Sequence, residues 1–89
     1  MSSTYQFRVL TPLTTAIDSS VVSIVAPGEA GYLGVLANHA PLIATLRGGD
    51  LRVRFENGRE SVYRIGSGVL KVAHNEATLL TESFEEENE

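Results

Sequence analysis

Apolar and polar residues alternate with a period of two along most of this chain. Tyr5, Phe7 and Val9 alternate with Gln6 and Arg8, the pattern of a strand with one buried face. Thr11-Pro12 breaks the run. Leu13, Thr15 and Ile17 form a second short candidate, and Asp18-Ser19-Ser20 reads as a turn by composition. Val21–Ala26 is β-branched and nearly all apolar, as expected of a strand covered on both faces. Pro27-Gly28-Glu29-Ala30-Gly31 reads as a loop. Leu42–Leu46 is a further short strand, closed by Arg47-Gly48-Gly49-Asp50.

The cleanest alternation sets Leu51, Val53 and Phe55 against Arg52, Arg54 and Glu56, with Asn57-Gly58 following at once. Asn-Gly between alternating segments predicts a type I′ hairpin, whose two central residues both need positive φ. The return strand Arg59–Ile65 then places Ser61, Tyr63 and Ile65 on one face. Gly66-Ser67-Gly68 turns the chain into Val69–Ala73, His74-Asn75 turns it again, and Ala77–Thr81 is the last strand. Eight or more strands recur at intervals of ~8–12 residues, and no segment carries a sustained helical repeat. The fold class is all-β, an antiparallel β-sandwich or flattened barrel built from hairpins.

One stretch departs from this rhythm. Gly31–Pro41 packs two glycines, a proline, a histidine and several aliphatic side chains into eleven positions. It is too apolar for a solvated loop and too interrupted for one strand. Pro41 keeps Ala40 out of helical geometry. Such a segment is shaped to present something, with Tyr32 at its tip suited to an interface or a core position.

Charge changes the picture only after it is divided. The net charge is −4, yet Glu82, Glu85, Glu86, Glu87 and Glu89 hold five of the eleven acids. The body before them is near neutral, and residues 84–89 read as an acidic, disordered tail behind a single domain spanning 1–83. No basic face marks a nucleic-acid partner. The longest apolar run, three residues, falls far short of the ~18 that a membrane span needs. With no cysteine, disulfides and thiol chemistry are excluded.

No catalytic constellation accompanies the two histidines. His74 suits a turn; His39, before Ala40-Pro41, suits a packed structural or interface role, with a metal or proton relay as the alternatives. The glycine pairs lack the lysine, hydroxyl and following helix of a phosphate loop. Arg47, Arg52, Arg54, Arg59 and Arg64 read as a solvated face with cross-strand ion pairs to Glu56 and Glu60, or as a dock for an acidic protein. A carrier domain would need a lysine at a hairpin tip, and the single lysine, Lys71, is mid-strand. The residues by themselves describe a small β-sandwich that binds a partner.

The segment Gly31-Tyr32-Leu33-Gly34-Val35-Leu36-Ala37-Asn38-His39-Ala40-Pro41-Leu42 resembles the G-x-L-G-[IV]-x-x-x-H-A-P-L signature of the epsilon-subunit family of F-type ATP synthases, called δ in mitochondria. Thr4–Pro12, Leu46–Val53 (with Gly48 where proline is usual), Ile65–Val72 and Ala77–Thr81 resemble the family's other strands, so the likeness runs over residues 4–83. It implies a sandwich of two roughly five-stranded sheets acting as a rotor subunit in the central stalk, performing no bond chemistry and needing no cofactor or metal. The implied partners are the γ subunit, toward Thr11, His39, Ala40, Pro41 and Ala44, and the membrane c-ring, toward Glu29, Ala30, Gly31 and Tyr32. Many members carry an acid at the Tyr32 position, so a stacked or hydrogen-bonded tyrosine contact is implied in its place. Its implied site is peripheral, on the cytoplasmic face of a bacterial inner membrane, with no membrane insertion and no nucleic acid. Members usually continue into a helical hairpin that restrains ATP hydrolysis, some with an I/L-D-x-x-R-A nucleotide motif. Neither occurs in these 89 residues, so no nucleotide binding and no such restraint are expected. A protein-binding or carrier module unrelated to ATP synthase is the alternative reading.

Overall fold

The computed structural model describes residues 3–87. Among them lie nine strands and no helix: β1 (Tyr5–Leu10), β2 (Thr15–Gly28), β3 (Gly31–Leu36), β4 (Leu42–Leu46), β5 (Gly49–Phe55), β6 (Glu60–Ile65), β7 (Gly68–Ala73), β8 (Glu76–Thr81) and β9 (Phe84–Glu87). One layer runs β2-β1-β8-β7-β4 and the other β3-β2-β5-β6-β9. Counting β2 in both, each layer has five strands among the described residues. Every pairing is antiparallel except β1 with β8.

The organising element is β2. Fourteen extended residues span about 46 Å, longer than the 34 Å long axis of the molecule, so the strand must bend. It does so at a bulge. Val21 pairs with Phe55 and Ser23 with Arg54, which leaves Val22 as an extra residue. The extra residue reverses the alternation: Ile17 and Val21 point inward before it, Ile24 and Ala26 after it. The first half thus lies along β1, the second joins β3 and β5, and Gly28 closes onto Leu46 of β4.

The core is made by the inward positions of both layers. Tyr5, Phe7, Val9, Leu46, Leu70, Val72, Ala77 and Leu79 come from the first; Ile24, Ala26, Val35, Leu51, Val53, Tyr63 and Ile65 from the second. The buried Tyr5 hydroxyl donates to the Val35 carbonyl across the layers at 2.7 Å. Removal from water pushes this phenol well above the ordinary tyrosine value.

Six sequence expectations are corrected. Asp18-Ser19-Ser20 is not a turn: it lies within β2, opposite Arg8, Phe7 and Gln6. Pairing with β1 overrides turn composition there, helped by Gln6 Nε2 donating to Asp18 Oδ1 at 2.6 Å and by the Arg8–Asp18 pair. Leu13 belongs to no strand and is 95% exposed. Pro27–Gly31 is not a loop, because both strands continue to the Gly28–Gly31 pair and leave a two-residue turn, Glu29-Ala30. The presenting segment likewise begins as a regular strand, β3, and only Ala37–Pro41 is irregular.

The Asn57-Gly58 turn has three residues. The Gly58 amide donates to the Phe55 carbonyl and the Phe55 amide to the Arg59 carbonyl, and only Gly58 takes positive φ, at 91°. This is a type I turn followed by a left-handed glycine. The paired positive φ values expected there occur at His74-Asn75 instead, 54° and 59°, between the paired residues Ala73 and Glu76. Finally, the expected tail is structured as far as Glu87: Phe84–Glu87 form β9 along β6, and Phe84 stacks on Tyr63 at 4.7 Å. The expectation for Asn88 and Glu89 lies outside the described residues.

Candidate interaction surfaces

The tip of the β2–β3 hairpin carries Glu29, Ala30, Gly31 and Tyr32, all exposed, with Tyr32 67% accessible. The two-residue turn requires Gly31 at φ 133°, which an L side chain rarely adopts. Behind the tip, Gly28 admits no Cβ; one would lie 2.7 Å from the Gly31 carbonyl oxygen. The tip is tied down by two backbone bonds. The Glu29 amide donates to Thr45 at 3.0 Å and the Arg47 amide to Pro27 at 2.9 Å. The pinned hairpin therefore holds Tyr32 in solvent, which rules out a core position for that residue.

Beside the tip, register pairs Thr45 with Val69, Val69 with Leu80, Leu80 with Leu10 and Leu10 with Thr15. The side chains of this row leave the outer face of the first layer. Val69 and Leu80 are exposed, and with Leu10, Pro12 and Gly68 they line an apolar groove of about 420 Å³. Ile43, 74% exposed, stands next to Thr45 on the same face of β4. Thr11 borders the groove. It caps its own turn, its hydroxyl accepting from the Leu13 and Thr14 amides and its amide donating to Thr14.

The other residues implied to face γ are elsewhere. His39, Ala40 and Pro41 lie at the opposite end of the first layer, beside the His74-Asn75 turn. There the Asn75 side chain accepts from the Asn38 amide at 2.7 Å and donates to the Thr4 carbonyl at 2.9 Å. His39 is half-buried, and its Nδ1 lies 2.7 Å from the Ala40 carbonyl, which calls for a proton on that nitrogen. Ala44 turns inward opposite Leu70 and flanks a cavity behind the tip, with Tyr32 and Leu33. The fold thus brings Ala44 toward Glu29–Tyr32, sets Thr11 across the apolar row, and leaves His39–Pro41 apart.

That apolar row was missed in sequence. Its signal is the doublets Val9-Leu10, Leu42-Ile43, Val69-Leu70 and Leu79-Leu80, each one apolar residue more than a one-sided strand needs. The arginine face, by contrast, is partly neutralised, with three of its five arginines ion-paired. Arg54 Nε donates to Glu60 at 2.8 Å, Arg59 meets Glu86 at 3.7 Å, and Arg64 meets Glu87 at 3.5 Å. Among the described residues, no group of three or more histidine or carboxylate side chains is placed to hold a metal ion. Among the described residues, no helix is long and apolar enough to cross a membrane.

Residues 4–87 match the family described as ATP synthase, Delta/Epsilon chain, beta-sandwich domain. The ATP synthase epsilon chain of Dichelobacter nodosus is 38% identical over 82 residues, covering 92% of this chain and 57% of its own length. That of Chlorobaculum tepidum is 36% identical over 78 residues, covering 88% and 89%. The chain therefore spans little more than half of the first relative and most of the second. In fold, it is similar to a chain of the Euglena gracilis mitochondrial ATP synthase, solved with OSCP, F1 and c-ring. The TM-score is 0.89 at 22% identity, over 97% of this chain and 55% of that one. A chain of the Tetrahymena thermophila mitochondrial central stalk and c-ring gives a TM-score of 0.73 at 18% identity, covering 89% of this chain and 63% of that one. By sequence and by fold, the chain belongs to the ATP synthase delta/epsilon family, as its β-sandwich domain.

Proposed function

We propose that this domain is a non-catalytic rotor part of an F-type ATP synthase, linking the γ subunit to the c-ring and supporting the coupling of proton transport to ATP synthesis. The observation that carries this reading is the pinned hairpin tip. In a member of this family, Glu29–Tyr32 stand clear of a stiff sandwich, with an exposed aromatic at the point where the family meets the ring. Tyrosine there supplies apolar contact area and a hydroxyl at little entropic cost. γ takes the remaining surface, Thr11 and the apolar row, reaching Ala44 only at the cavity behind the tip, while His39-Ala40-Pro41 form a separate shoulder against it. The domain sits peripherally on the cytoplasmic face of a bacterial inner membrane, as part of the complex, and needs no nucleotide, metal or cofactor.

The test is affinity purification of the tagged chain from its host membranes. Recovery of γ and c subunits supports the reading, and Tyr32→Ala lowers the recovered c subunit about tenfold, as for an aromatic anchor worth about 1.4 kcal/mol. Recovery of the chain alone under gentle extraction would overturn it.

A further inference from the structure

Among the described residues, β3 lies at the edge of the second layer, bonded to β2 on one side only. A two-residue hairpin closes on a hydrogen-bonded pair, so Gly28–Gly31, Ala26–Leu33 and Ile24–Val35 spend the backbone groups of Gly31, Leu33 and Val35 on β2. The amides of Tyr32, Gly34 and Leu36 and the carbonyls of Tyr32 and Gly34 then point to the open edge, while the Leu36 carbonyl accepts from the His39 amide at 3.2 Å. The carbonyl of Pro27, opposite Tyr32, agrees with this phase, since it turns away from β3 to accept from Arg47.

Edge strands are ordinarily guarded by charge, proline or a bulge. Gly31-Tyr32-Leu33-Gly34-Val35-Leu36 contains no charged residue, no proline and no bulge. Its outward side chains, Tyr32 and Leu36, are 67% and 64% exposed.

We infer that this edge pairs with the same edge of a second copy of the chain. In an antiparallel two-fold pair, opposing residues share a face and exchange both backbone bonds only if both point to the seam. Centring the axis on Gly34 meets the first condition throughout and the second at Gly34, while at the Tyr32–Leu36 pairs the Leu36 carbonyl shares its acceptor capacity with the His39 amide. Gly34 faces Gly34, Tyr32 faces Leu36, and Leu36 faces Tyr32. Each exposed aromatic is covered by the other copy's exposed leucine, and the axis position has no side chain to obstruct it. An added Cβ at Gly34 finds only the Ile24 carbonyl within 4 Å, at 3.9 Å, so the approach is open. Charge favours the same edge. β9, with Glu85, Glu86 and Glu87, is at the far edge of this layer, so the pair keeps the acidic strands apart. The seam uses one six-residue strand per copy, small beside stable interfaces, so the pair forms at high concentration only. Resting on the proposed ring contact of Tyr32, it also follows that pairing and ring binding exclude one another, and that pairing is a state of the unassembled chain.

Sedimentation velocity of the full chain from about 5 µM to about 500 µM, the range expected of a small interface, tests this. The mass is expected to rise toward twofold. Amide exchange should slow at Tyr32, Gly34 and Leu36 while Leu33 and Val35 are unchanged. Gly34→Pro removes one seam donor without touching the β2 ladder, and Leu36→Lys adds an edge charge with the backbone intact. Each should hold the mass at one chain at the highest concentration. A one-chain mass throughout would overturn the inference, as would a dimer undiminished in both variants or protection gained at β9. A chain that stays single yet gains protection at those three amides only within the assembled synthase would also overturn it, assigning the edge to another subunit's strand.

Discussion

At the scale of single residues, two polar groups hold the layers in place. Tyr5 is the inner one. Tyr5→Phe is expected to cost about 1 kcal/mol in denaturant unfolding, the usual net worth of a hydrogen bond, with the apolar packing kept. It also carries a pH signature. The folded phenol titrates above the unfolded one, so its contribution is fully present below about pH 10 and is lost as pH rises beyond that. Stability measured between pH 8 and pH 11 should therefore fall more steeply in the native chain than in Tyr5→Phe. Asn75 is the outer group, joining the Asn38 turn, its own turn and Thr4 while sitting at φ 59°. Asn75→Ala loses both bonds and strains the backbone, and should cost about 2–3 kcal/mol; Asn75→Gly relieves the backbone and should cost less.

At the scale of elements, period-two patterning made most strands legible, because Tyr5, Phe7 and Val9 or Leu51 and Val53 are buried by the same alternation that marks them. What stayed hidden depends on partners distant in sequence. Asp18-Ser19-Ser20 is held extended by β1, and the bulge at Val22 that explains the apolar density of Val21–Ala26 is visible only against β5. The tip residues of the candidate site could be read from Gly31 and Tyr32. The grouping of the others could not, since register alone places Thr11 beside Val69 and Leu80, and His39 beside Asn75. The acidic composition of β9 likewise concealed one aromatic. Phe84 packs on Tyr63, whereas the ion pairs to Arg59 and Arg64 are exposed and worth little. Phe84→Ala should therefore release residues 84–87, seen as faster amide exchange, at a cost of about 1–2 kcal/mol. Raising salt to 1 M should move stability by less than about 0.5 kcal/mol. In β7, an added methyl at Gly68 would collide with the Leu80 backbone, and Gly68→Ala should cost about 2–3 kcal/mol, read by thermal unfolding.

At the scale of the whole molecule, the first strand is completed by the eighth. β1 needs β8, some seventy residues later, for its parallel neighbour. Folding dominated by such distant pairings should take milliseconds to seconds in stopped-flow refolding, and a chain lacking residues 1–10 should remain unfolded. In a β-sandwich the side chains of the two inner faces interdigitate to form the core. Here β2 passes unbroken from one to the other, bent at Val22 and anchored at Gly28 to Leu46. A force applied at Glu29 or Tyr32 is consequently taken up as tension along covalent backbone, where relative sliding would otherwise act on apolar contacts. The tip and the two layers are thereby joined through one continuous strand as well as through the core.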